Sequence, residues 1–262
     1  MTVRDPAPVL SARRIRPGMA ESEAVTRGVA VEAPVALEIN GIGYAVMMAT
    51  PVALDDFVAG FLIAEALVQS ISDIGDIAVA ELDKGWIARI AITGAGGDAL
   101  LERARRRVSE SSCGLCGIEN LEQLARPLPK VAEHGEPDSD HVFAALEALG
   151  AHQPINRATG GMHAAAWVDD GGAIRCVRED VGRHNALDKL VGALARHDLR
   201  PDSGFILTTS RCSYEIVEKS VMAGACNLVT ISVPTSLAVE RAAACGLSLY
   251  ALARSDSMLR FA

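Results

Sequence analysis

Aromatic side chains are scarce, at 4% of a 262-residue chain, so few flat platforms exist for stacking nucleobases. Positive charge is also short: 25 Lys and Arg stand against 33 Asp and Glu, a net of −8. That balance argues against general nucleic-acid binding and leaves room for a local basic cleft around a small anion. Long apolar runs are missing. The most apolar stretch, Ile42 to Val68, is broken by Pro51, Asp55, Asp56 and Glu65, which excludes a membrane span there. The start of the chain carries Arg4, Arg13, Arg14 and Arg16 with no apolar core of a secretory signal, which predicts a cytoplasmic protein. Neither a G-x-G-x-x-G turn at the first strand end nor a G-x-x-x-x-G-K-[ST] loop occurs, so the standard dinucleotide and phosphate-loop folds are disfavoured.

What is present reads as an ordinary globular chain, with 50% hydrophobic and 22% charged residues. Residues 1–28 are polar and proline-bearing and predict a flexible arm. Residues 29–137 read as an α+β region, and a soft boundary near 137 separates it from an α/β domain over 138–262. Asn40-Gly41 between two strand-like runs is a hairpin signal. Thr50 suits an N-cap and Pro51 the first position of a helix running to about Gln69. Residues 100–108 and 119–125 predict short helices on either side of a cysteine loop. From Ala164 a hairpin is followed by strand–loop–helix units in quick succession, the pattern of a parallel sheet covered by helices.

In such sheets ligands gather at the carboxyl ends of strands. Four predicted strand ends carry polar groups: Glu179-Asp180 with Arg183-His184, Ser210-Arg211 with Ser213, Pro234-Thr235-Ser236, and Arg254. Several open helices, whose free N–H groups and dipole favour anions, and the arginines add charge-assisted bonds to phosphate oxygens. Ser and Thr at these places also serve as plain helix caps. His163 follows Gly160 and Gly161, where a ligand could approach the backbone, and His184 lies one helical turn from Asp188. Each histidine also fits a structural hydrogen-bonding role.

The other distinctive stretch is Ser112-Cys113-Gly114-Leu115-Cys116-Gly117, just after Arg103, Arg105, Arg106 and Arg107. Cationic neighbours favour the thiolate, and a two-residue gap lets one sulfur attack a bond made at the other. Such a pair supports disulfide exchange, sulfur relay as a persulfide, or half of a metal site. Zinc needs two more ligands, and Cys176, Cys212, Cys226 and Cys245 form no second pair. Nor is the zinc-deaminase pattern complete: no H-x-E precedes the pair, and Ser112 rather than Pro precedes Cys113.

Taken together, these blocks resemble the FdhD family of formate dehydrogenase accessory sulfurtransferases. The matching residues are Met48-Ala49-Thr50-Pro51, Gly60-Phe61-Leu62 with Glu65, the cysteine loop, Thr159-Gly160-Gly161-Met162-His163, and Glu179 through Lys189. Ser210-Arg211-Cys212-Ser213 with Glu215 and Lys219, Pro234-Thr235 and Arg254 complete the set. The family has glycine before the arginine where this chain has Ser210. The resemblance implies a homodimer with a cytidine-deaminase-like α/β/α core, parallel strands in the C-terminal half and no zinc. It implies a sulfurtransferase with a cysteine persulfide intermediate. Sulfur would pass from a cysteine desulfurase to Cys113, assisted by Cys116, and on to a molybdenum or tungsten bis(molybdopterin guanine dinucleotide) cofactor for formate dehydrogenase. A guanine nucleotide would be an analogue of that substrate. The expected ligand contacts are Gly161, His163, Asp180, Arg183, His184, Ser210, Arg211, Ser213, Pro234, Thr235 and the run Tyr250, Ala251, Leu252, Ala253, Arg254, Ser255. The alternative is a chaperone that carries the cofactor without sulfur chemistry.

Overall fold

The computed structural model describes residues 5–18, 22–93 and 127–262. The cysteine loop and the helices expected at 100–108 and 119–125 lie outside the described residues. Where sequence reading expects an arm, strands β1 (Val9–Arg14) and β2 (Glu23–Gly28) pair antiparallel from Val9↔Gly28 to Arg14↔Glu23. A four-stranded sheet follows, in the order β4-β3-β6-β5: β3 (Ala33–Ile39), β4 (Ile42–Ala49), β5 (Ile74–Leu82) and β6 (Gly85–Ile92). Its first hairpin turns at Asn40 and Gly41, with φ of 49° and 78°, the paired left-handed geometry that Asn-Gly supplies at least cost.

Helix α1 (Leu54–Ala64) starts later than expected, with Ala53 and not Thr50 at its N-cap. The reason is tertiary. The Thr50 N–H donates to Asp180 Oδ2 at 3.0 Å and its hydroxyl oxygen accepts from Val181 N–H at 3.3 Å, so Thr50 is spent on a contact 130 residues away. The helix also stops short of Gln69, reversing at Ala66 with φ 53°.

The second sheet has the order β12-β11-β10-β9-β7-β8 and is built from β7 (His163–Asp169), β8 (Ile174–Asp180), β9 (Gly204–Thr208), β10 (Asn227–Thr230), β11 (Ser248–Ala251) and β12 (Leu259–Arg260). Strands β9, β10 and β11 are mutually parallel, and β7 runs antiparallel to both β8 and β9. It follows that β8 points the same way as β9, β10 and β11. Four carboxyl ends and the start of β7 therefore share one edge. Helices α2 (Ser139–Leu149) and α3 (Pro154–Thr159) precede this sheet, while α4 (Arg183–Arg196), α5 (Tyr214–Met222) and α6 (Ser236–Cys245) connect its strands.

Both faces of the sheet are buried. Trp167, Ile206 and Leu228 face α4, α5 and α6, while Ala166, Phe205 and Val229 pack on Val142, Ala145 and Leu149 of α2. This is why β9 reads as an unbroken apolar run. Apolar packing runs across the expected boundary at 137. One apolar cluster joins Val35, Leu37, Phe57, Leu62 and Ile90 to Leu187, Leu190, Ile206 and Leu228. Among the described residues no helix is long and apolar enough to cross a membrane.

Candidate functional site

The loop after β8 is held by one buried knot. Asp180 is fully buried, and its carboxylate accepts from Thr50 N–H (3.0 Å), Gly182 N–H (2.8 Å), Asn185 Nδ2 (3.0 Å) and Lys189 Nζ (2.6 Å). Lys189, also fully buried, donates besides to the carbonyls of Thr50 (2.9 Å) and Glu179 (3.3 Å). With these four donors on its carboxylate, Asp180, one of the expected ligand contacts, shapes the loop that presents Arg183 and His184. Glu179 likewise turns inward, accepting from the N–H groups of Ile155 and Asn156 at the start of α3.

Arg183 and His184 open α4, which has no side-chain cap at Gly182. The Arg183 Nε is buried and has no hydrogen-bond partner among the described residues. His163 starts β7 directly opposite Asp180. Burial, then the charges of Arg183 and His184, push its imidazole below the usual histidine range, so it is uncharged at neutral pH. Nε2 of His184 lies 2.9 Å from Glu215 Oε2 and 3.5 Å from the Ser213 hydroxyl, both at the start of α5. The edge thus brings His163, Arg183, His184 and Ser213 together. It adds Glu215, a contact across 31 residues that no local pattern announces.

The remaining expected contacts divide. The loops after β9 and β10 are zipped together: Cys212 N–H donates to the Val233 carbonyl (3.2 Å) and Thr235 N–H to the Cys212 carbonyl (2.9 Å), with Pro234 bridged to Cys212. Arg211 is exposed at this place, whereas the buried Ser210 spends its hydroxyl on the Arg211 carbonyl at 2.9 Å. Thr235 caps α6 by accepting from Ala238 N–H at 3.2 Å. Beyond β11, Leu252 adopts φ 53°, a strained conformation for a γ-branched residue, with its N–H on the Ser232 carbonyl. Ala251 and Ala253 are buried, and Arg254 is exposed and donates to the carbonyls of Ile231 and Ala253. Ser255 is exposed. The Tyr250 side chain packs with α2 on the far face of the sheet. Gly161 is exposed after the left-handed Gly160 (φ 72°), and a Cβ there would meet nothing nearer than 3.8 Å, so the backbone is open to approach.

All four described cysteines are free and buried, and burial raises each thiol, Cys212 to about 12. Iodoacetamide is expected to leave Cys176, Cys212, Cys226 and Cys245 unmodified in the native protein and to label them after unfolding. Peptide mapping that finds Cys212 labelled at a free-thiol rate in the native state would refute this. Cys113 and Cys116 lie outside the described residues.

A sequence model of the FdhD/NarQ family matches residues 30–262. The chain is 44% identical over 253 residues to the sulfur carrier protein FdhD of Xanthomonas euvesicatoria, covering 97% of this chain and 89% of that one. It is 40% identical over 242 residues to the protein of the same name in Bordetella petrii, covering 92% and 87%. Among solved structures, one described as a formate dehydrogenase accessory protein from Desulfotalea psychrophila superposes with a TM-score of 0.78 at 23% identity. That match covers 98% of this chain and 97% of the other.

Proposed function

Because the chain belongs to the FdhD/NarQ family, we propose that it is a sulfur carrier serving formate dehydrogenase. The observation that carries this reading is the near full-length likeness to sulfur carrier proteins, at 40–44% identity. The sheet edge supports it by offering an anion site: two helix starts without side-chain caps, the Arg183 Nε that has no partner among the described residues, and the exposed Arg211.

In the proposed reaction the Cys113 thiolate attacks the outer sulfur of a cysteine desulfurase persulfide. The donor S–S bond breaks, the desulfurase thiolate leaves, and Cys113 carries S–SH. For delivery, the Cys116 thiolate attacks the inner sulfur of that persulfide. A Cys113–Cys116 disulfide forms and hydrosulfide departs to the acceptor, after which a thiol reductant restores the pair. The acceptor is a molybdenum or tungsten bis(molybdopterin guanine dinucleotide) cofactor, a substrate whose phosphates would lie at the Arg183–His184 edge.

Incubation with a cysteine desulfurase and cysteine is expected to add one sulfur atom to the intact mass, lost on mild reduction. Cys113→Ala is expected to gain none. If the wild type gains no sulfane sulfur, or Cys113→Ala still carries it on the loop, the persulfide reading fails. Formate dehydrogenase activity restored in a deletion strain by the Cys113→Ala, Cys116→Ala double variant would favour cofactor carriage alone.

A further inference from the structure

Glu215 puts a carboxylate at the edge that gathers Arg183, Arg211 and His184 with the uncharged His163, where it repels the anion that the arginines attract. Its Oε2 lies 2.9 Å from His184 Nε2. A carboxylate offers only lone pairs, so Nε2 must be the nitrogen that donates in this bond. The Ser213 hydroxyl, 3.5 Å from the same nitrogen, is the weaker contact. The bond to His184 is also the chief cause that holds the Glu215 carboxyl below its ordinary range, so this acceptor stays ionised at neutral pH.

One turn deeper the same two helices meet again with the polarity reversed. Asp188 of α4 accepts from Lys219 Nζ of α5 at 2.9 and 3.1 Å. Lys219 also reaches Glu65 at 3.3 Å and stands 5.7 Å from the centre of the Phe61 ring. Four-residue spacing puts His184 above Asp188 and Glu215 above Lys219. The buried lower rung fixes how α4 and α5 lie against each other. It thereby sets Glu215 opposite His184.

We propose that Glu215 is a positioning residue that fixes the His184 imidazole at the anion edge, with the Asp188–Lys219 pair keeping the two helices in register. This rests on the reading of that edge as an anion site.

The test titrates guanosine diphosphate into the wild type, Glu215→Leu, Glu215→Gln, His184→Ala and the His184→Ala, Glu215→Leu double variant. Ring-carbon relaxation of His184 is recorded without ligand. Glu215→Leu is expected to weaken binding about tenfold, the worth of one charge-assisted hydrogen bond. Glu215→Gln, whose amide oxygen still accepts from Nε2, should stay within about threefold, and the double variant should bind like His184→Ala. Tighter binding by both Glu215 variants would mark the carboxylate as a mere repulsive charge and overturn the proposal, as would losses that multiply in the double variant. A His184 ring as ordered in Glu215→Leu as in the wild type also overturns it, whatever the nucleotide does. If the wild type binds no nucleotide while the ring loses order in Glu215→Leu, the anion-site reading falls and the positioning role stands.

Discussion

Lys189→Met is expected to cost about 3–5 kcal/mol of folding stability, because it leaves the Asp180 carboxylate buried without its countercharge. At about 2–3 °C per kcal/mol for a chain of this size, the melting temperature should fall by roughly 6–15 °C. The loss exceeds that of one ion pair. The ammonium also serves the carbonyls of Thr50 and Glu179, and a thioether donates to neither. Burial opposes the charge on Lys189, and Asp180 answers it as the main compensating group. Lys189→Arg should not rescue the variant, since a planar guanidinium does not fit a fully enclosed ammonium site. Thermal melting of Lys189→Met within about 2 °C of the wild type would show that the knot contributes little.

Gly60→Ala and Gly192→Ala are expected to be as severe, by a different route. Helices α1 and α4 cross where a Cβ on Gly60 would lie 1.7 Å from the Asp188 carbonyl oxygen, and one on Gly192 1.9 Å from that of Asp56. Backbone atoms cannot swing aside as a side chain does, so the helices must part. Overpacking in cores typically costs 1–3 kcal/mol, and about 3 kcal/mol or more is expected here. Parting the helices also draws Glu65 away from Lys219, so His184 should lose order along with stability. Gly43→Ala is the control: a Cβ there meets nothing within 4 Å, and its melting temperature should match the wild type. Equal stability of Gly60→Ala and Gly43→Ala would sink the argument.

The sequence was most readable where local rules and tertiary demands agree. Asn40-Gly41 turned as its chemistry requires, and the buried runs of β9 and β10 announced a sheet covered on both faces. Strand ends with polar residues met on one edge because β7, inserted antiparallel between β8 and β9, leaves β8 aligned with the parallel set. Reading was least complete where a residue's partner is distant. Thr50 has every local mark of an N-cap and serves Asp180 instead. Asp180 has the look of a ligand contact and is wholly enclosed. Tyr250 falls in the right segment, but alternation along β11 turns it to the α2 face. Glu215 stood among the residues shared with the family, but its pairing with His184 was not legible, because that depends on which helix lies beside it.

The ties from Thr50 and Met48 to Asp180, Asn185 and Lys189 span 130 to 139 residues of sequence. During synthesis the first half of the chain therefore leaves the ribosome long before the groups that complete it exist. Contacts of such separation carry a large loop-closure cost and slow folding. Residues 29–137 expressed alone should remain open and prone to aggregate. In the cell this protein should acquire its final shape only after release, with a dependence on chaperones during the wait.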